Sequence, residues 1–288
     1  MEVNQAKAPS ALTAGAYSVA PESLFDLGRK LRESYVTAAP FAHTVIDNVF
    51  PEELLNSIVA EFPRLDQIDW QRFENANEKK SALKSEMQLG NVARHFLWEL
   101  NSQVFISFLQ LLTGIEGLVP DPHLLGGGLH QIERGGLLKI HADFNHHKQL
   151  NLQRRINLLV YLNRDWKEEY GGHLELWNRE MTKCVKKVLP VFNRCVIFST
   201  TDTAYHGHPE PLTCPEGWSR KSLAMYYYTN GRPAEEASAE HSTLFQARPG
   251  EAVAAESRSL KDVVKEFIPP IVVKAWSRLA GRSPAGSS

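Results

Sequence analysis

Gly135-Gly136-Leu137-Leu138-Lys139-Ile140-His141-Ala142-Asp143 opens from a glycine turn and runs on as an extended segment ending in His-x-Asp. Side chains alternate between the two faces of an extended chain, so His141 and Asp143 share a face and can grip one ion together. His206, in Tyr205-His206-Gly207-His208-Pro209, supplies a third ligand from a distant segment. The set is then two imidazoles and one carboxylate on one side of a metal, with open positions opposite. Other short apolar runs surround these residues, at 155–163 (RINLLVYLN), 171–177, 195–199 and 221–229, separated by loop-forming stretches. They read as strands. The ligands therefore sit in a mainly β domain.

Two histidines and a carboxylate with vacant positions form the facial triad of non-haem Fe(II) oxygenases. The ordered motifs extend further: His-x-Asp, Tyr-Leu-Asn-Arg-Asp-Trp at 161–166, Gly-Gly-His-Leu-Glu-Leu at 171–176, Val-Ile-Phe at 196–198, His-Gly-x-Pro at 206–209 and Arg-x-Ser-Leu at 220–223. Over about residues 41–232 the chain resembles the 2-oxoglutarate- and Fe(II)-dependent oxygenases, specifically their prolyl 4-hydroxylase-like branch. The resemblance implies a double-stranded β-helix (jelly-roll, cupin-like) core with flanking helices, holding metal and cosubstrate inside the barrel mouth. It implies catalysis by His141, Asp143 and His206 on Fe(II), with 2-oxoglutarate, O2 and ascorbate as an accessory stimulant. The implied reaction is hydroxylation of an unactivated C–H bond with release of succinate and CO2. Related halogenases lack the carboxylate ligand, so Asp143 favours hydroxylation.

The same resemblance assigns the far carboxylate of 2-oxoglutarate to Arg220, a residue type whose planar fork matches a carboxylate and keeps its charge when buried. The gap from His206 to Arg220 is longer than is usual in the family, which leaves Lys221, on the opposite strand face, as the alternative anchor. If Arg220 points inward, alternation brings Ser222, Ala224 and Tyr226 with it, and groups Asn157, Leu159 and Tyr161. Tyr161 matches a phenol that supports 2-oxoglutarate in this branch. Gln131, ten residues before His141, matches another cosubstrate contact, usually tyrosine. Among the remaining histidines, Pro209 bends His208 away from the site, His146 and His147 form a solvated or substrate-facing loop, His173 opens a strand, and His43, His95, His123, His130 and His241 have no partner pattern. Lys148 and Arg154 lie beside the site and suit an anionic or polar substrate.

Composition agrees with a cytoplasmic enzyme. A formal net charge of -1 over 288 residues suggests no nucleic-acid partner, since phosphate binding needs a concentrated basic surface. Cys184, Cys195 and Cys214 have no paired spacing, which argues against a disulfide framework or zinc finger. No apolar run approaches the ~20 residues of a transmembrane helix. Residues 1–35 read as a flexible arm ending in a helix near 21–34, 36–232 as the oxygenase domain, and 233–257 as an Ala- and Glu-rich linker. Residues 70–89 read as a loop or lid, and 94–112 as the longest helix. In 258–288, apolar stripes broken at Pro269-Pro270 and flanked by Lys274, Arg278 and Arg282 suit an amphipathic helix on a membrane surface or in a protein groove.

A peptidyl proline is the expected substrate, and a small polar or carbohydrate-like metabolite the alternative. Two other classes accommodate part of the pattern. A zinc hydrolase also accepts two histidines and a carboxylate but leaves Arg220 without a task. A non-catalytic jelly-roll binding module would carry the same residues as a vestige.

Overall fold

A computed structural model describes residues 17–253, apart from residue 84; the helices expected in 258–288 lie outside the described residues. The first element is α1 (Pro21–Val36), begun by proline with Glu22 in its first turn. Leu24, Leu27, Leu31 and Tyr35 form one stripe packed on the core, and the Tyr35 hydroxyl meets Ser199 Oγ at 2.8 Å. The helix expected near 21–34 is thus present, and it is docked on the core. Its polar outer face dilutes the apolar periodicity.

Then come β1 (His43–Asp47) and α2 (Glu52–Ala60), where expected, and a hairpin of β2 (Gln71–Glu74) and β3 (Glu78–Ala82) in place of the expected loop. The long helix anticipated over 94–112 is two helices, α3 (Asn91–Leu100) and α4 (Gln103–Thr113). The break is Ser102, whose Oγ accepts from the Phe105 amide at 3.3 Å and so restarts the chain as an N-cap. Ser102→Ala should lower stability by about 1 kcal/mol in urea unfolding.

The remaining elements are β4 (Val119–Pro120), β5 (Gly128–Glu133), β6 (Leu137–Ala142), β7 (His146–His147), β8 (Leu152–Tyr161), β9 (Leu174–Trp177), β10 (Cys184–Val188), β11 (Arg194–Ser199), β12 (His206–His208), β13 (Ser219–Thr229) and β14 (Leu244–Phe245). Antiparallel pairing runs in the order β1-β11-β8-β13-β5-β3-β6-β12-β9-β10. Two four-stranded layers, β11-β8-β13-β5 and β6-β12-β9-β10, make the double-stranded β-helix, and β3 pairs with β5 and β6 to join them. Alternation decides what each face does. Leu158, Val160, Leu223 and Met225 point into a large core shared with Leu55, Phe96, Phe108 and other helix residues. Asn157, Leu159, Ser222 and Tyr226 line the interior cavity instead.

Residues 233–253 are not a free linker. β14 pairs with β6 opposite His141 and Ala142, and the Asn145 amide donates to Ser238 Oγ (3.0 Å) and the Ala239 carbonyl (2.8 Å) while its oxygen accepts from the His241 amide (3.0 Å). His241 also meets Asp202 at 2.8 Å. These ties are backbone pairs and polar side-chain bonds to residues far away in sequence, so they leave no hydrophobic period to read. None of the described helices is long and apolar enough to cross a membrane.

Candidate metal and cosubstrate site

β6 delivers His141 near its end and Asp143 just beyond it, while β12 delivers His206 directly opposite His141 in the strand register. His141 Nε2 lies 3.6 Å and His206 Nε2 3.4 Å from the two Asp143 oxygens, and the three ligand atoms all fall within 4.8 Å of one another. Ligands about 2 Å from one ion at right angles stand about 3 Å apart, so a small closure around a metal completes the set. Nδ1 of His141 meets the Lys139 carbonyl at 2.8 Å, and Nδ1 of His206 meets the Ala204 carbonyl at 2.9 Å. A carbonyl can only accept, so each Nδ1 carries the proton and each Nε2 keeps its lone pair for the metal. Burial, with His141 nearby, pushes His206 down to about 4 against the pull of Asp143. The ring is therefore neutral at neutral pH.

Burial alone would raise the Asp143 carboxyl, yet Arg154 and the two histidines hold it well below the usual carboxylate range. Asn157 Nδ2 donates to Asp143 Oδ2 at 2.6 Å, and Arg154 Nη2 lies 3.3 Å from the same oxygen. Arg154 in turn donates to Asn157 Oδ1 and lies over the Tyr226 ring at 3.5 Å. It is 1% exposed. Expected as a substrate contact, Arg154 thus stands behind the metal ligand. Lys148 is on the surface, paired with Glu240.

Across the cavity Arg220 is buried, donating Nε to the Gly172 carbonyl (2.8 Å) and Nη2 to the Tyr161 hydroxyl (3.1 Å). No carboxylate pairs with it among the described residues, and burial lowers its proton affinity. An uncompensated buried guanidinium needs an anion, so the pocket fits one end of a dicarboxylate. Gly172 makes room: its φ is +74°, and an added Cβ would sit 2.7 Å from Leu212 and 3.0 Å from Arg220 Cδ. Ser222 lines the cavity as alternation required.

Gln131 does not reach this site. It opposes Lys221 in the register and bonds with Ser219 and the Pro63 carbonyl, whereas its neighbours His130 and Ile132 face the cavity beside Arg220 and Ser222. Counting back from His141 crosses the turn at 134–136, where strand parity is lost. Lys221 points away likewise, with Nζ on Ser219 Oγ at 2.7 Å. Sequence reading also set aside His130 and His208, both of which line the cavity. Burial first, then Lys80, push His130 down to about 3, and its Nε2 meets the Gly126 carbonyl at 2.9 Å. His147 is buried against Asp121 at 3.4 Å rather than solvated. A larger apolar cleft between Trp98, Val119, Pro122 and Leu152 holds no comparable ligand set among the described residues.

Residues 127–228 match the family model of the 2OG-Fe(II) oxygenase superfamily, a span that contains His141, Asp143, His206, Arg220, Tyr161 and Ser222. Prolyl 3-hydroxylase OGFOD1 of Mus musculus is 24% identical over 199 residues, covering 66% of this chain. The chain spans about a third of that protein's length, 33%. Among solved structures, a Pseudomonas putida prolyl-4-hydroxylase is 17% identical with a TM-score of 0.52, covering 71% of this chain and 100% of its own. A Trichoplax adhaerens prolyl hydroxylase, solved with a hypoxia inducible factor oxygen degradation domain peptide fragment, is 18% identical with a TM-score of 0.52, covering 72% and 91%. These share the double-stranded β-helix. Residues 127–228 thus match the 2OG-Fe(II) oxygenase superfamily in sequence, on a fold that the prolyl hydroxylase structures share.

Proposed function

We propose that this chain is an Fe(II)- and 2-oxoglutarate-dependent dioxygenase that hydroxylates an unactivated C–H bond, with proline in a peptide or protein as its substrate. The observation that carries the reading is one cavity with a His141–Asp143–His206 cluster on one wall and the unpaired cation of Arg220 on the other. A zinc hydrolase has no use for that cation. His141, Asp143 and His206 are the metal ligands in this reading, and Arg220, Tyr161 and Ser222 hold the cosubstrate.

When bound, the metal and cosubstrate supply the oxidising chemistry: 2-oxoglutarate is decarboxylated to succinate and CO2 while one oxygen atom from O2 enters the C–H bond. The protein's own share is orientation. Asn157 and Arg154 fix the Asp143 carboxylate, and the Lys139 and Ala204 carbonyls fix the two imidazole planes. Arg220 and Tyr161 set the direction in which a dicarboxylate enters. Phe245 on β14 packs its ring 5.7 Å from that of His141. A cytoplasmic location accompanies the proposal, supported by the three free cysteines.

The test is succinate formation in step with hydroxylation. With Fe(II), 2-oxoglutarate and proline-containing peptides, the substrate should gain one oxygen that labels from O2. Label from water, or turnover without metal, rejects the mechanism. Oxygen gain on small polar metabolites alone keeps the mechanism and replaces the substrate.

A further inference from the structure

His208 is 3% exposed and faces the cavity that holds the metal cluster and Arg220. Among the described residues, neither of its ring nitrogens has a hydrogen-bond partner. Buried polar groups are almost always matched, and exceptions mark places where something else binds. The strand geometry aims it there. His206 pairs with His141 but His208 pairs with Leu138, a one-residue register shift that puts residues three apart on β6 and two apart on β12 onto the same wall. Gly207 allows the shift, because a Cβ there would stand 2.7 Å from the carbonyl oxygens of Leu138 and Lys139.

Resting on the cosubstrate reading above, we infer that His208 is a further cosubstrate-binding residue, whose ring N–H joins Arg220 and Tyr161 around the distal carboxylate of 2-oxoglutarate. His208 is a poor candidate for a fourth metal ligand. It lies two residues, about 7 Å of extended chain, beyond His206, and it is outside the cluster whose ligand atoms converge. Its charged neighbours in the cavity include Arg220 and Lys80, both donors. Neither can accept its proton. An anion drawn in by those cations can, and a carboxylate offers about four lone-pair directions. Arg220 has already committed Nε to Gly172 and Nη2 to Tyr161, so the carboxylate has capacity left for the imidazole.

Calorimetry of Zn(II)-loaded protein, which binds without turning over, tests this. His208→Leu should weaken 2-oxoglutarate roughly tenfold or more, the loss typical of a hydrogen bond to a charged group. Pyruvate, which lacks the distal carboxylate, should bind as before, and so should Zn(II) itself. His208→Gln, which keeps a donor, should recover most of the affinity. In the wild type, the ring nitrogen resonances of His208 should shift when 2-oxoglutarate is added but not when pyruvate is. An unchanged affinity in His208→Leu, or no resonance shift, overturns the inference and leaves His208 as a residue matched by internal water. Loss of Zn(II) binding overturns it in favour of a metal role. Arg220→Met in the same assay separates the levels: if it also binds 2-oxoglutarate normally, the cosubstrate reading itself has failed.

Discussion

Asp143→Ala is expected to abolish turnover and also to destabilise the metal-free protein by about 3–5 kcal/mol. The first effect follows from removing one of three ligands and the only negative one in the cluster. The second follows from Arg154, a guanidinium 1% exposed whose carboxylate partner among the described residues is Asp143 at 3.3 Å. Deleting that carboxylate leaves a buried charge without compensation. Asp143→Asn keeps the hydrogen-bonding shape and should separate the charge from the geometry. Urea unfolding of the metal-free forms and Fe(II) titration check both parts. The sign with pH is fixed as well: a carboxyl held below its unfolded value stabilises above about pH 4 and loses that contribution only as acid reaches the folded-state value. A metal-free Asp143→Ala protein as stable as wild type would mean that Arg154 finds its partner elsewhere.

Arg220→Met should raise the dissociation constant of 2-oxoglutarate by tens-fold or more, corresponding to about 2–5 kcal/mol for a buried charge-assisted pair. The same change should leave the ligand-free protein at least as stable. Wild-type Arg220 is buried, its partners among the described residues are the neutral Gly172 and Tyr161, and an apolar chain of similar length relieves that cost. Binding lost while stability is kept is the signature of a residue held for its ligand. Lys221→Met is the control, since its ammonium sits on Ser219 outside the cavity. Calorimetry and thermal melts of both variants make the comparison, and a raised constant in Lys221→Met alone would move the anchor.

What could be read in advance was whatever obeys a period. His141 and Asp143 follow from alternation within one strand; the family resemblance singles out Arg220 and Tyr161, and alternation brings Ser222 in with Arg220. Errors arose where the period breaks. Gln131 lies across a turn from His141, and strand parity puts His130 and Ile132, not Gln131, on the cavity wall. His208 was dismissed for the proline after it, although a register shift keeps it inward. β3 carries Glu78, Lys79, Lys80 and Ser81, and Lys80 lines the cavity, so it lacks the apolar alternation that marks a half-buried strand. The 233–253 segment is bound by a two-residue strand pairing and by side-chain amides and a carboxylate, for which composition gives no signal.

β3 also determines how the chain can be cut. The family match begins at residue 127, yet the strand that lies between β5 and β6 comes from 78–82. A fragment limited to the matched span would expose the N–H and C=O rows of both strands as raw sheet edges, facing each other with nothing between. Such edges recruit strands from other molecules. Self-association rather than a soluble minimal enzyme is what that excision would yield, because the polar hairpin that looks dispensable in sequence is the seam that keeps the barrel from pairing outward.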